Sequence, residues 1–175
     1  MKQTVKITLC AMIAALSVVL MLFSYLPTTT YAVPAVTGLL MMVPVIEINK
    51  KWAFGAYLAA SALIFLTGEM ESKLLYILFF GYYPIVKSLL EQCKKPVIEW
   101  TGKLLVFNAA MLSLYGLFAA LFGISTEDFG TFGKYGALLF LAFGNVIFVL
   151  YDIAVSRMAG LYARIQPALS KYLKK

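Results

Sequence analysis

The sequence has no histidine, only two cysteines and few charged residues for its length. Without histidine there is no His-ligated zinc site, no histidine general base and no Ser-His-Asp triad. Cys10 and Cys93 have no CxxC partner, so neither a redox pair nor a thiolate metal site is predicted. A Walker motif is also absent, so the chain itself is not expected to hydrolyse ATP.

The chain consists mostly of apolar residues. Of the 175 residues, 62% are hydrophobic and 13% are charged, and the mean hydropathy is +0.88. Soluble domains are usually about 45–50% apolar and about 25% charged. The composition therefore excludes a soluble globular domain, a disordered chain and a disulfide scaffold, and it predicts an integral membrane protein.

Six apolar segments separated by turn residues predict an all-α fold, a single domain of six transmembrane helices. The predicted spans are 5–25, 33–48, 52–67, 74–90, 104–122 and 137–155, followed by a basic cytoplasmic tail over 157–175. The first span has no A-x-A cleavage site and no polar region after it, so we interpret it as a membrane helix. Pro44 and Pro84 lie inside spans, where kinks are expected.

Lysine and arginine fall mainly in alternate loops, which predicts the orientation. With the N-terminus inside, Lys73 and Lys134 lie in outer loops, Lys87 lies within a span, and the other twelve basic residues lie in inner segments. Trp52 and Trp100 fall beside inner lysines, as in an interfacial aromatic belt. The chain is thus predicted to be a multi-pass protein of the cell membrane with both termini cytoplasmic. We interpret the net charge of +7 as topology and attraction to the lipid bilayer, without a nucleic-acid partner.

Apart from Lys6 at the very start of the first span, three charged residues fall inside predicted spans, each near the inner end: Glu47, Lys87 and Asp152. Charge within a membrane is costly and indicates either pairing or function. One interpretation is that these side chains pair with one another or extend to the inner surface. The other is a gate or a coupling contact. Their placement does not predict a proton relay, which needs successive carboxylates along a path.

Asparagine also occurs within the predicted spans. Asn145 lies near the middle of the sixth span, where it either bonds another helix or contacts a ligand. Asn108 lies in the inner third of the fifth span, and we expect it to bond a neighbouring helix.

The predicted outer half of the bundle is rich in tyrosine. Tyr25, Tyr31, Tyr76, Tyr82, Tyr115 and Tyr135 fall there, with Thr28–Thr30, Glu71, Lys73 and Lys134 nearby in sequence. Tyrosine is ordinary at a membrane interface. Aromatic walls with a few polar groups are also how small-molecule pockets are built. Both interpretations stay open on the sequence alone.

Small residues recur four apart in the first span, where Ala11 and Ala15 share one helix face. Ala56 and Ala60 repeat the spacing in the third span. Such faces let another helix approach closely. Six spans in a chain of 175 residues, inner termini, short basic inner loops and the segment Ala11-Met12-Ile13-Ala14-Ala15 together resemble the substrate-binding S component of energy-coupling factor (ECF) vitamin transporters.

That resemblance implies a function without enzymatic activity and without a cofactor. Ala11 and Ala15 would dock on a membrane scaffold subunit that is joined to two ATPase subunits. The loop from Tyr25 to Tyr31 would close over a small vitamin-like ligand at the outer face, and the subunit would then topple to release it inward. The predicted substrate-binding residues are Tyr25, Thr29, Tyr31, Lys73, Tyr76, Tyr115, Lys134 and Asn145. No residue pattern names the ligand.

Two other classes stay open. A non-transporting membrane scaffold of the MreD type has a similar outline and would need partner surfaces rather than a pocket. An outer cavity lined by Tyr25, Tyr31, Tyr76 and Asn145 favours ligand binding, whereas a filled core favours the scaffold. An intramembrane enzyme or a small channel is the third class. Its catalytic candidates reduce to Asp152, Glu47 and Lys87, and no span has the repeated polar face that a channel needs.

Overall fold

The computed structural model describes residues 2–93, 95–122 and 136–173, and these residues form helices and turns without a strand. The helices are α1 Gln3–Leu22, α2 Ala32–Leu39, α3 Met42–Glu47, α4 Lys50–Thr67, α5 Met70–Leu75, α6 Tyr83–Leu90, α7 Pro96–Phe122 and α8 Gly136–Leu173. A short 3₁₀ turn, Phe23–Tyr25, follows α1, and a π-helical segment, Tyr76–Phe80, joins α5 to α6. The predicted all-α fold is confirmed.

Four helical segments of the described chain have the length and apolar composition to cross a bilayer. They are Gln3–Tyr25, Met70–Leu90, Pro96–Leu117 and Leu138–Pro167. The apolar segment Ala32–Glu47 is shorter, and α4 has 18 residues and begins with two lysines. Four long apolar helices are compatible with the predicted membrane-embedded protein.

Helix boundaries differ from several predicted spans: the second span contains two helices, α2 and α3, and the fourth begins earlier, with α5 at Met70. The fifth span was predicted from residue 104, but α7 already begins at Pro96, a residue that favours the first position of a helix. Lys103, predicted to lie in an inner turn, is therefore inside a helix. Helix α8 also continues past the sixth predicted span into the predicted tail over 157–175, as far as Leu173, and it includes Pro167.

The π-helical segment is explained by the proline that follows it. Pro84, in the first turn of α6, has no N–H to donate to the carbonyl of Phe80. The backbone N–H of Gly81 instead donates to the carbonyl of Tyr76, 2.8 Å away. Helix α2 packs on the Phe80 carbonyl through Gly38, where an added Cβ would overlap the carbonyl oxygen. Gly38 thus permits the close approach of α2 to this segment.

The core consists of two apolar clusters. One is built mainly of small and aliphatic side chains of α1 and α4, with Met41 and Tyr76 beside them. The other is aromatic: Phe79 lies 5.0 Å from Tyr83, 5.4 Å from Phe107 and 5.8 Å from Phe148, measured between ring centroids. The aromatic cluster joins the π-helical segment and α6 to α7 and α8.

Candidate functional site

A closed ring of charged side chains joins the last turn of α6, its C-cap, α7 and α8. We call it the charge ring, and its members are Lys87, Glu91, Lys103 and Asp152. Lys87 pairs with both carboxylates, at 2.7 Å to Glu91 and in a shorter contact with Asp152. Lys103 pairs with the same two groups, at 3.2 Å to each. Each cation thus lies between the same two anions.

Burial makes this ring unusual. Lys87, Lys103 and Asp152 are each no more than 3% exposed, whereas the Glu91 side chain is 42% exposed. Buried charges persist only when paired and hydrogen-bonded. The Tyr83 hydroxyl also donates to Asp152 over 2.5 Å, and Lys103 also pairs with Glu99 over 2.7 Å. Glu91 is therefore the member of the ring that reaches the surface.

The predicted pairing of the intramembrane charges is confirmed for Lys87 and Asp152. Glu47 instead accepts a hydrogen bond of 2.8 Å from the Tyr162 hydroxyl of α8. Lys103, Glu91 and Glu99 were not predicted as members of this network. Their spacing carried a usable pattern, because Lys87–Glu91 and Glu99–Lys103 are both i, i+4 pairs.

The two asparagines form a reciprocal pair between α7 and α8. The side-chain amide of Asn108 donates to the Asn145 oxygen over 3.0 Å, and that of Asn145 donates back over 3.1 Å. Each amide also donates to the backbone carbonyl four residues earlier, at 2.8 Å. The expectation that Asn108 bonds a neighbouring helix is confirmed. The same pair shows Asn145 making a helix contact, and its role toward a ligand stays a prediction.

At the end of the molecule where α1 ends and α5 begins, the loop from Tyr25 to Tyr31 is fastened to residues 67–72. We call these contacts the latch. The Tyr25 hydroxyl donates to the Thr67 carbonyl over 2.9 Å, and the Ser72 hydroxyl donates to the Thr30 carbonyl over 2.8 Å. The Tyr31 hydroxyl donates to the Glu71 carboxylate over 3.2 Å. The latch therefore holds the loop after α1 against the end of α4 and the start of α5.

Internal bonds and a helix cap shape the two sides of the latch. The Thr29 hydroxyl donates to the carbonyls of Phe23 and Leu26, over 2.6 and 2.9 Å, which closes the loop on itself. Glu69 caps α5 by accepting from the backbone N–H groups of Glu71 and Ser72, over 3.1 and 2.9 Å. The latch is thus a pre-shaped loop on a capped helix.

The electrostatics of the latch follow from these bonds. Burial raises the pKa of the Glu69 carboxyl, but the N–H groups of Ser72 and Glu71 lower it by more, so the net pKa is below its usual value. Partial burial and the neighbouring Glu71 carboxylate raise the pKa of Tyr31. Tyr31 therefore keeps the proton with which it bonds Glu71.

The remaining predicted ligand contacts do not meet in one place. Tyr76 is fully buried, with its ring 6.4 Å from that of Tyr57. The Lys73 ammonium lies 5.2 Å above the ring of Phe65. Tyr115 lies in α7. Lys134 is outside the described residues. The structure thus brings Tyr25, Thr29 and Tyr31 together at the latch, while Tyr76 and Asn145 lie in packed contacts.

Two apolar grooves mark the described surface. One, of about 270 Å³, runs between α1 and α4 and is lined by Ile7, Cys10, Ala11, Trp52, Gly55, Ala56 and Ala59. The other, of about 200 Å³, lies between the end of α1 and α2. Ala11 and Ala15 are exposed, whereas Ala56 and Ala60 are buried. The two alanine pairs therefore differ: that of α1 faces outward and that of α4 packs inside the bundle.

Within the described residues, no cluster of three or more His, Cys, Asp or Glu side chains is arranged to hold a metal ion. Fold and site together define the class of a helical protein with several membrane-compatible helices, a buried charge ring and a latched loop. Beyond that class, comparison with known proteins finds nothing similar: no family model, no curated protein and no solved structure matches the chain.

Proposed function

We propose that this chain is the substrate-binding S component of an ECF-type importer in the cell membrane. The observation that carries the proposal is the latch, a pre-shaped loop held across the end of the bundle by hydrogen bonds from Tyr25, Tyr31 and Ser72. A binding protein that captures a ligand from outside needs such a closure, and it needs one whose bonds are individually weak.

Six membrane passes are part of this proposal. They are α1, the α2–α3 pair, α4, the continuous segment Met70–Leu90, α7 and α8. The latch brings the loop after α1 and the turn after α4 to one end of the bundle. The Cys10 thiol of α1 contacts the Trp52 carbonyl at 3.6 Å, which supports placing the turn before α4 at the opposite end. With lysine placement, this alternation supports outer latch residues and two cytoplasmic termini.

Ligand capture would take place beneath the latch. Tyr25, Thr29 and Tyr31 would act as the lid, with Lys73 and Tyr76 as contacts from the neighbouring helix. The aromatic and hydroxyl character of this end suits a small planar, vitamin-like molecule. Replacing Thr29 by Trp or Tyr31 by Ala is expected to lower the affinity for that molecule, because either change disturbs the closed loop.

Delivery would require partners, because the chain lacks a Walker motif. Ala11 and Ala15 lie exposed on α1, where a scaffold helix could approach closely. The scaffold subunit would in turn be joined to two ATPase subunits.

Co-purification of the tagged chain from its native membrane tests this assembly. An S component brings down a multi-span scaffold and two ATPases, and the double variant Ala11→Trp, Ala15→Trp loses all three while keeping its ligand. Leu112→Trp is the matched control, because Leu112 of α7 is 60% exposed and apolar. Undiminished ATPase recovery with the double variant contradicts the docking face.

A second candidate, a non-transporting scaffold of the MreD type, is favoured by one observation. Tyr76 and Asn145, expected to line an outer cavity in a binding protein, lie in packed contacts instead. A scaffold would co-purify with other membrane proteins, without ATPases and without a small molecule.

A further inference from the structure

The groove between α1 and α4 is apolar, and lysines lie near one of its ends. Its lining is apolar, and it includes Ala11, Gly55 and Ala59, residues with at most a methyl side chain. A Cβ added at Gly55 would meet nothing within 4 Å. The groove is therefore open to the surroundings of the helices, which in a membrane are lipid acyl chains.

Lysines stand at one end of this groove on both of its helices. Lys6 precedes Cys10 by four residues, and Lys51 precedes Gly55 by four, so each lies one turn below a groove residue on the same helix face. Trp52, a residue typical of the membrane interface, lines the same end. An apolar slot that ends at two cations has the charge pattern of an anionic amphiphile.

Among the residues that the structure describes, these two cations have no counter-charge. Neither Lys6 nor Lys51 forms an ion pair with any of the residues that the structure describes. Glu47, the acidic residue nearest to Lys51 in sequence, accepts a hydrogen bond from Tyr162 instead. The lysines at this end of the groove are therefore available to an external anion.

We propose that the groove binds one anionic phospholipid, with its phosphate at Lys6 and Lys51 and an acyl chain along Ala11, Gly55 and Ala59. A groove of about 270 Å³ has room for part of an acyl chain, and the two lysines beside it complement a phosphate. The site requires a membrane-embedded chain and does not depend on transport. A scaffold that docks at Ala11 would first have to displace this lipid.

Native mass spectrometry of the delipidated full chain tests the proposal. The probes are dioleoyl phosphatidylglycerol, which is anionic, and dioleoyl phosphatidylcholine, which is zwitterionic with the same chains. Wild type is expected to bind the anionic lipid about 30-fold more tightly, the effect of two lysines near a membrane surface. The double variant Lys6→Gln, Lys51→Gln is expected to lose this preference.

Two matched controls make the result specific. The double variant Lys95→Gln, Arg157→Gln removes the same net charge from residues outside α1 and α4, and it is expected to keep the preference. Gly55→Leu fills the groove and is expected to weaken both lipids, whereas Gly116→Leu, at another helical glycine with open space around it, is expected to weaken neither.

Three outcomes overturn the site. The first is equal affinity of wild type for the two lipids. The second is anionic-lipid binding that survives both Lys6→Gln, Lys51→Gln and Gly55→Leu. The third is loss of co-purification with a protein in Gly55→Leu while lipid affinity is unchanged, because the groove then belongs to a protein helix. None of these results affects small-molecule binding at the latch, so the proposed function is judged separately.

Discussion

Lys87 and Lys103 lie on consecutive helices and bind the same two carboxylates, those of Asp152 and Glu91. Each lysine therefore depends on the other's partners. Because both lysines and Asp152 are buried, removing Asp152 leaves two buried cations with only the more exposed carboxylates of Glu91 and Glu99. The ring thus connects α6, α7 and α8 to one another.

Asp152→Leu is expected to cost about 3–5 kcal/mol of unfolding free energy, the usual cost of breaking a buried ion pair. The double variant Lys87→Met, Asp152→Leu is expected to recover much of that loss, since it removes one charge of each sign. Denaturant unfolding in detergent measures both. A double variant that is no more stable than Asp152→Leu would show that the charges do not compensate each other.

The Asn108–Asn145 pair predicts a measurable coupling between α7 and α8. In a double-mutant cycle with alanine at each position, the coupling energy is expected to be about 0.6–2 kcal/mol. Unfolding midpoints of the wild type, the two single variants and the double variant provide the cycle. Strictly additive losses would mean that the reciprocal bonds contribute nothing, and they would favour a ligand-binding role for Asn145.

The fold was predictable to the extent that apolar runs and turn residues mark helices. The Asn49-Lys50-Lys51 turn predicts the start of α4, and there the Asn49 side chain accepts from the Trp52 N–H over 3.0 Å. The π-helical segment was not predictable, because it depends on how the carbonyl freed by Pro84 packs against α2. The sequence predicts Lys103 in an inner segment between spans. Its burial could not be predicted, because it depends on carboxylates from three different segments.

The candidate site was predictable only in part. Thr29 closes the loop after α1 by donating to the carbonyls of Phe23 and Leu26, and threonine is typical of such turns. The burial of Tyr76 in the core could not be predicted, because tyrosine occurs both at membrane interfaces and in packed clusters. Convergence of distant side chains is a tertiary property, which a single sequence does not encode visibly.

Gly38 is predicted to be intolerant of any side chain. Gly38→Ala places a methyl group against the Phe80 carbonyl and is expected to cost about 1–3 kcal/mol through overpacking. Gly55→Ala, where space is open, is expected to be neutral or to stabilise α4 by up to about 1 kcal/mol. Thermal unfolding of the two variants compares them directly. Equal effects would contradict the close approach of α2 to Phe80.

The Glu69 cap predicts a pH-dependent contribution to stability. Because the folded-state pKa lies below the ordinary value of 4.5, the cap stabilises fully above that value and is lost as pH falls through the lowered pKa. Glu69→Gln is therefore expected to lower the unfolding midpoint at pH 7 and to differ less and less from wild type as the pH falls through the lowered pKa. A difference that stays constant as the pH falls would remove the carboxylate from this role.

The central claim, that the chain binds a small molecule beneath the latch, is tested most directly by mass spectrometry of compounds extracted from the purified protein. The chain is purified in detergent after growth with a mixture of vitamins, with Tyr31→Ala purified in parallel. We predict a stoichiometric vitamin-like compound in the wild type and less of it in the variant. A wild-type protein that remains empty under these conditions would contradict the binding function and favour the membrane scaffold.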